Sequence, residues 1–262
     1  MLEKTGKYEF MAEPFHCDFT KSLFMGHLGN HLLNAADFHA NHRGFGMTAL
    51  NPIHKTWVLS RLAIEMYEMP KEYSTFNVET WIEGVMKYFT HRNFRICATG
   101  DNNHIYGYAR SIWALIDTDT RQPQNITEVK DREIVKYVDP ETKCPIADLS
   151  RVKISNNASL IASTDTHYSD VDVNGHINSI KYIEHVLDIF TLNWHTEHQI
   201  RRLDIAYVAE SYYGDRLNFY REDTSDNSIS IRITKVQACN NKETEVCRCM
   251  ITFEKRNNNT CK

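Results

Sequence analysis

The chain repeats itself, and an internal repeat restricts the available folds more tightly than any composition does. Two segments open with a Gly-His step and run into a helical pattern. They are Gly26-His-Leu-Gly-Asn-His-Leu-Leu-Asn-Ala-Ala-Asp-Phe38 and Gly175-His-Ile-Asn-Ser-Ile-Lys-Tyr-Ile-Glu-His-Val-Leu187. Each leads into an extended segment with an Arg-Leu-x-Ile core, Trp57 to Met66 in the first half and Ile200 to Tyr207 in the second. Segments that alternate apolar and polar residues follow in both halves: 76–82, 92–97 and 108–116, then 229–234 and 246–253. Period-two alternation is the mark of a half-buried strand. Gly100-Asp-Asn-Asn103 and Asn240-Asn-Lys242 supply turn chemistry between them. Each half therefore reads as one helix and then an antiparallel meander of about four strands. That is an α+β organisation, not a parallel α/β fold.

The repeats are expected over residues 1–120 and 153–262. Between them, residues 121–152 form a polar connector holding Pro123, Pro140 and Pro145, with a helical portion near Thr127–Lys136. Lys255 to Lys262 reads as a frayed tail.

The 262 residues carry a net charge of −4, so no global basic field favours nucleic acid or an anionic membrane surface. No apolar run approaches the ~20 residues that span a bilayer. The N-terminus has no apolar h-region, so no targeting peptide is expected, and the cytoplasm is the expected compartment. Seven cysteines include no Cys-x-x-Cys pair, which favours reduced thiols. Cys247 and Cys249 should share one face of their strand.

No Gly-x-Ser-x-Gly elbow, glycine-rich phosphate loop or His-Glu-x-x-His occurs, and no cofactor or metal is expected. His27 and His31 stand one helical turn apart, but no Glu or Cys accompanies them on the helix. They read as surface or interface histidines.

The densest chemistry lies in Asp170-Val-Asp-Val-Asn-Gly-His-Ile-Asn178, ahead of a helix whose apolar face is Ile177, Ile180, Ile183, Val186, Leu187 and Phe190. A helix N-terminus needs one capping side chain, worth ~1 kcal/mol. Five polar residues exceed that need. Free N–H groups at such a terminus can polarise a carbonyl oxygen. Further on, the strand 203–209 gives way to Glu210-Ser211 before a Gly-Asp turn. A carboxylate there is ordinary surface unless the helix mouth lies beside it.

Taken in order, these blocks resemble the acyl-ACP thioesterases of plant plastids and bacteria. Asp170-Val-Asp-Val-Asn-Gly-His-Ile-Asn-Ser-Ile-Lys-Tyr-Ile183 resembles the family's signature. Trp57-Val-Leu-Ser-Arg-Leu62, Ile112 to Pro123, and Leu203 to Asp215 resemble its other blocks, and the likeness covers about residues 5 to 255. The resemblance implies a double hotdog of two repeats, each a long helix wrapped by an antiparallel sheet. It implies an acyl-chain tunnel in the first repeat and a catalytic set in the second. The matched catalytic residues are Asp172, Asn174, His176 and Glu210. Ser211 stands where much of the family has cysteine, which argues against a thiol nucleophile.

The implied reaction is hydrolysis of a fatty acyl thioester on the phosphopantetheine arm of acyl carrier protein, ending fatty-acid synthesis. The carbonyl oxygen is expected at N–H groups near Gly175 and His176. Asn174 would position substrate or water, and His176 with Glu210 would form the base pair. Asp172 would either polarise the network or attack directly, and the sequence does not separate the two. Alternatives are an acyl-CoA thioesterase, a dehydratase-like hotdog enzyme and a non-catalytic acyl-binding module. Carrier proteins are acidic, so Arg201, Arg202, Arg216, Lys130, Arg132 and Lys136 are docking candidates, each equally readable as solvated surface. A homodimer is compatible with the repeat.

Overall fold

A computed structural model describes residues 2–237 and 242–256. The chain divides into two compact units, Met1–Leu149 and Ser150–Lys262.

In the first unit, β1 (Gly6–Met11) precedes the long helix α1 (Met25–His42) and the one-turn α2 (Met47–Leu50). Four strands follow: β2 (Lys55–Met66), β3 (Thr75–Val85), β4 (Phe89–Ala98) and β5 (Asp101–Asp117). They pair antiparallel in the order β1-β3-β4-β5-β2. Helix α1 buries Leu28, Leu32, Ala35, Ala36, His39 and Ala40, a stripe at three- and four-residue spacing. Its end is a Schellman turn: Phe45 N–H donates to Ala40 O, Gly44 N–H donates to Asn41 O, and Gly44 takes φ +78°.

The second unit repeats this plan strand for strand. Its elements are β6 (Ser159–Asp165), α3 (Ser179–Asp188), α4 (Leu192–Glu197), β7 (His198–Tyr207), β8 (Arg216–Ser225), β9 (Ser228–Val236) and β10 (Glu243–Lys255). The sheet order is β6-β8-β9-β10-β7, all antiparallel. Replacing β1 to β5 by β6 to β10 converts one order into the other, so the sequence repeat is a repeat of topology. Each unit is one long helix on a five-stranded antiparallel sheet, the hotdog arrangement.

Five strands per unit exceed the four or so expected. The extra ones, β1, β6 and β8, are short or polar on one face: β6 is Ser-Leu-Ile-Ala-Ser-Thr-Asp with no buried residue. The expected helix near Thr127–Lys136 is instead two 3₁₀ pieces, Ile126–Glu128 and Lys130–Tyr137, the second broken by positive φ at Asp131 and Arg132. Its Ile134 and Tyr137 join Ile126, Ala40, Phe45 and Leu115 in one apolar cluster of the first unit. Cys247 and Cys249 are both buried on β10 with Arg248 turned outward, and the five described cysteines are free thiols. The expected turn at Asn240 and Asn241 and most of the expected tail, residues 257–262, lie outside the described residues.

Candidate active site

The polar run divides its labour, and only one member caps the helix. Asn178 is the N-cap of α3, its Oδ1 accepting from Ile180 N–H at 2.8 Å. Asp170 serves the 3₁₀ turn before the loop: its buried carboxylate accepts His167 N–H at 2.7 Å and faces His185 Nε2 at 3.3 Å. That second approach is not a hydrogen bond, since buried His185 Nε2 has no hydrogen-bond partner among the described residues.

Asp172 folds the loop itself. Its Oδ1 accepts Asn174 N–H at 2.8 Å and its Oδ2 lies 3.4 Å from Asn174 Nδ2. The backbone closes the same loop, with Asp172 N–H donating to His176 O and Gly175 N–H donating to Asp172 O. Gly175 adopts φ +79°, a conformation that side-chain-bearing residues rarely take.

This geometry corrects the expected oxyanion position. The helix begins at Ser179, three residues after His176, and Gly175 N–H is occupied by Asp172 O. In the first turn, Ile180 N–H goes to Asn178 Oδ1 and Lys181 N–H to Asn178 O. His176 N–H has no protein acceptor among the described residues.

Glu210 is brought to the loop by a single backbone bond. Ile177 N–H donates to Ser211 O at 2.9 Å, which sets His176 and Glu210 side by side. His176 Nε2 lies 3.5 Å from Glu210 Oε2, with both side chains partly exposed. Glu210 lies three residues past the end of β7 rather than directly at the strand's end. There β7 has left the ladder, since Val208 and Ala209 N–H both turn to Val246 O.

Three residues that sequence reasoning did not single out complete the site. Tyr212 Oη donates to Glu210 Oε2 at 3.3 Å, and its ring meets the His176 ring edge-on at 5.1 Å. Lys235 Nζ, nearly buried, donates to Glu210 O at 2.6 Å and lies 3.5 Å from Asp215 Oδ2. It also sits 5.2 Å over the Tyr212 ring, and Asp215 Oδ2 accepts Tyr212 N–H at 3.0 Å. A signal for Lys235 existed. It continues the alternation Ile229, Ile231, Ile233 onto the core face of β9, where a lysine is out of place.

Ser211 points away from this chemistry. It is fully buried, and its neighbour is Tyr182, whose hydroxyl burial pushes well up in pKa while Ser211 opposes the rise. Neither hydroxyl has good hydrogen-bond geometry. Arg202 is likewise removed from the docking candidates, because it is buried and bidentate on Asp204 at 2.7 and 2.9 Å. Lys136 pairs with Glu133, and Arg216 with Asp165. A concavity of ≈ 360 Å³ at the β8–β9 hairpin, lined by Arg221, Asp223 and Phe253 among others, does not include the site.

Two such repeats make this a double-hotdog protein with an imidazole–carboxylate pair in its second unit. Residues 3–135 match the model of the acyl-ACP thioesterase N-terminal domain and residues 154–255 that of the C-terminal domain. The chain belongs to the acyl-ACP thioesterase family. It is 47% identical to an acyl-ACP thioesterase from Bacteroides thetaiotaomicron, with TM-score 0.87 over 96% of this chain and 98% of that one. The 12:0-ACP thioesterase from Umbellularia californica shares the fold at TM-score 0.84 and 20% identity, over 98% and 99% of the two chains. Oleoyl-acyl carrier protein thioesterase 2, chloroplastic, of Arabidopsis thaliana is 23% identical over 87% of this chain, which spans 65% of that relative's length.

Proposed function

We propose that the protein hydrolyses the thioester of fatty acyl-ACP, releasing free fatty acid and holo-ACP. The observation that carries this reading is the pairing of His176 Nε2 with Glu210 Oε2 at 3.5 Å beside the Asp172–Asn174 loop, in a chain of this family. A water between substrate and pair would lose its proton to the imidazole while its oxygen adds to the thioester carbonyl carbon. The carbon–sulfur bond then breaks, and the proton passes to the departing pantetheine sulfur. A thiol has pKa ~8.5, so that last transfer is undemanding. Such acid–base assistance contributes ~10² to 10⁴ in rate.

Glu210 orients His176, its carboxylate facing the ring that takes up the water's proton. Tyr212 and Lys235 fix Glu210 from side chain and backbone respectively. His176 N–H is the loop donor left for the carbonyl oxygen, in place of the helix terminus. Asn174, anchored by Asp172, is placed to hold the substrate. The mutual Asp172–Asn174 contacts favour water over Asp172 as the attacking group, because that carboxylate is already committed to the loop.

Acyl carrier protein is the proposed partner, the cytoplasm the proposed compartment, and a homodimer a compatible assembly. Among the described residues no helix is long and apolar enough to cross a membrane. The test is thiol release from acyl-ACP and from the matching acyl-CoA at equal concentrations. Faster release from acyl-ACP is expected. Equal or faster release from acyl-CoA would reassign the donor, and tight acyl-ACP binding without free thiol would make the protein a binding module.

A further inference from the structure

Away from the loop of Asp172, the first unit holds a second cluster of chemistry-bearing side chains. The 3₁₀ turn Pro14–His16 lies between β1 and α1 and carries Glu13 at its N-cap. His16 Nδ1 stands 2.9 Å from Glu13 Oε2. From α1, His31 brings a ring nitrogen to the same place, so that the ligand atoms of Glu13, His16 and His31 all lie within 4.8 Å of one another.

The cluster is held from three sides. Phe24 N–H donates to His16 O at 2.9 Å, tying the turn to the start of α1. The His27 ring, one helical turn before His31, stacks on the His16 ring at 4.1 Å and 22°. The His31 ring packs on Phe10 at 4.5 Å and meets Phe76 at 5.6 Å.

His31 is the anomaly. Both its ring nitrogens are buried without a hydrogen-bond partner among the described residues. An imidazole that is sheltered and unbonded at both nitrogens forfeits roughly 1–3 kcal/mol per group. A ligand that takes a nitrogen lone pair removes that cost.

We infer that Glu13, His16 and His31 form a binding site for a divalent transition metal of the zinc class. Two imidazoles and one carboxylate are the donor set of open zinc sites, and imidazole selects zinc, cobalt, nickel or copper over magnesium and calcium. The exposed Glu13 and half-exposed His16 give the ion access, while His31 supplies the sheltered side. Imidazole and carboxylate ligate only in their unprotonated forms, so affinity weakens as the pH is lowered. The ion would clip the β1–α1 connection to the helix. Sequence spacing alone hid the site, because the ligands that join His31 come from a different element, 15 and 18 positions earlier.

The test is titration of the full chain carrying His176→Ala with Zn²⁺ by calorimetry, and with Co²⁺ by visible absorption. The His176→Ala background removes the His176–Glu210 pair as a competing ligand set. One saturable equivalent is expected, with the intense d–d bands of low-coordinate cobalt, a rising melting temperature and weaker binding at pH 5.5 than at 7.5. His31→Gln, His16→Gln and Glu13→Gln should each weaken it by at least the ~10–100-fold that even an outer-shell loss costs. His16 lies on an exposed turn, so His16→Gln remains informative if His31→Gln fails to fold. No saturable binding, or zinc binding unchanged by His16→Gln, overturns the site. Neither outcome bears on thioester hydrolysis, which is read separately.

Discussion

Replacing Lys235 by methionine tests whether the candidate site depends on a buried cation beneath it. Lys235 and Asp215 are 8% and 9% exposed at their side chains and 3.5 Å apart. Removing one partner of a buried pair costs ~3–5 kcal/mol, because the other charge is left without compensation. Asp215 would keep its 3.0 Å bond from Tyr212 N–H, which places the expected loss near the lower end, about 3 kcal/mol. The same substitution frees the Glu210 carbonyl, which Lys235 holds at 2.6 Å. A displacement of ~1 Å at a catalytic group can lower turnover by ~10²-fold.

Urea unfolding reads the stability effect as a shift of midpoint at constant slope, and thiol release from acyl-ACP reads the rate. The double variant Lys235→Met with Asp215→Asn removes the stranded charge while keeping an acceptor for Tyr212 N–H. It should recover stability relative to the single variant but not rate. A loss below ~1 kcal/mol in the single variant would show an ordinary solvated ion pair and refute the reasoning. So would a double variant no more stable than the single one.

Three further outcomes are expected. Tyr212→Phe removes the Oη bond to Glu210 and should slow thiol release by ~10–100-fold, the scale of one hydrogen bond to a charged group, with melting temperature unchanged. Ser211→Ala should retain near wild-type kcat, since the hydroxyl is buried beside Tyr182; loss of most activity would restore it as a nucleophile. His39, whose Nε2–H donates to Lys4 O at 2.8 Å, is held by burial and by the Arg92 charge at a pKa of about 2, down from 6.5. Between those values the unfolded chain binds the extra proton. Stability should therefore be complete above pH 6.5 and fall on acidification by up to ~1.4 kcal/mol per unit. His39→Gln should flatten that acid limb, as followed by melting temperature from pH 7 to 4.5.

The doubled architecture was legible because the Arg-Leu-x-Ile blocks fall on β2 and β7, matching strands of two identical topologies, although Gly26 lies inside α1 and Gly175 precedes the N-cap of α3. Strands with one apolar face, such as β3 and β9, announced themselves. Strand β6 has no buried residue, and nothing in its composition separates it from a loop. Asp172, Asn174 and His176 were legible as a dense polar run, and the structure gathers them in one loop. Their distribution was not legible: the helix starts at Ser179 with its first amides bonded to Asn178, so His176 N–H and not the helix terminus is the donor without an acceptor among the described residues. Glu210 lies 34 positions from His176 and was legible only as a carboxylate at a strand end; its pairing with His176 came through the family resemblance, since the Ile177–Ser211 backbone bond that joins them has no sequence signature. Lys235 lies one residue past the alternating segment 229–234. One more step of alternation would have placed a lysine on the buried face.

The most direct measurement is single-turnover release of thiol from acyl-ACP by the wild-type protein, by His176→Ala and by Glu210→Gln. Wild-type release with each variant slowed by ~10² to 10⁴-fold is expected, at unchanged melting temperature. Wild-type rates in both variants would contradict the assignment of the pair.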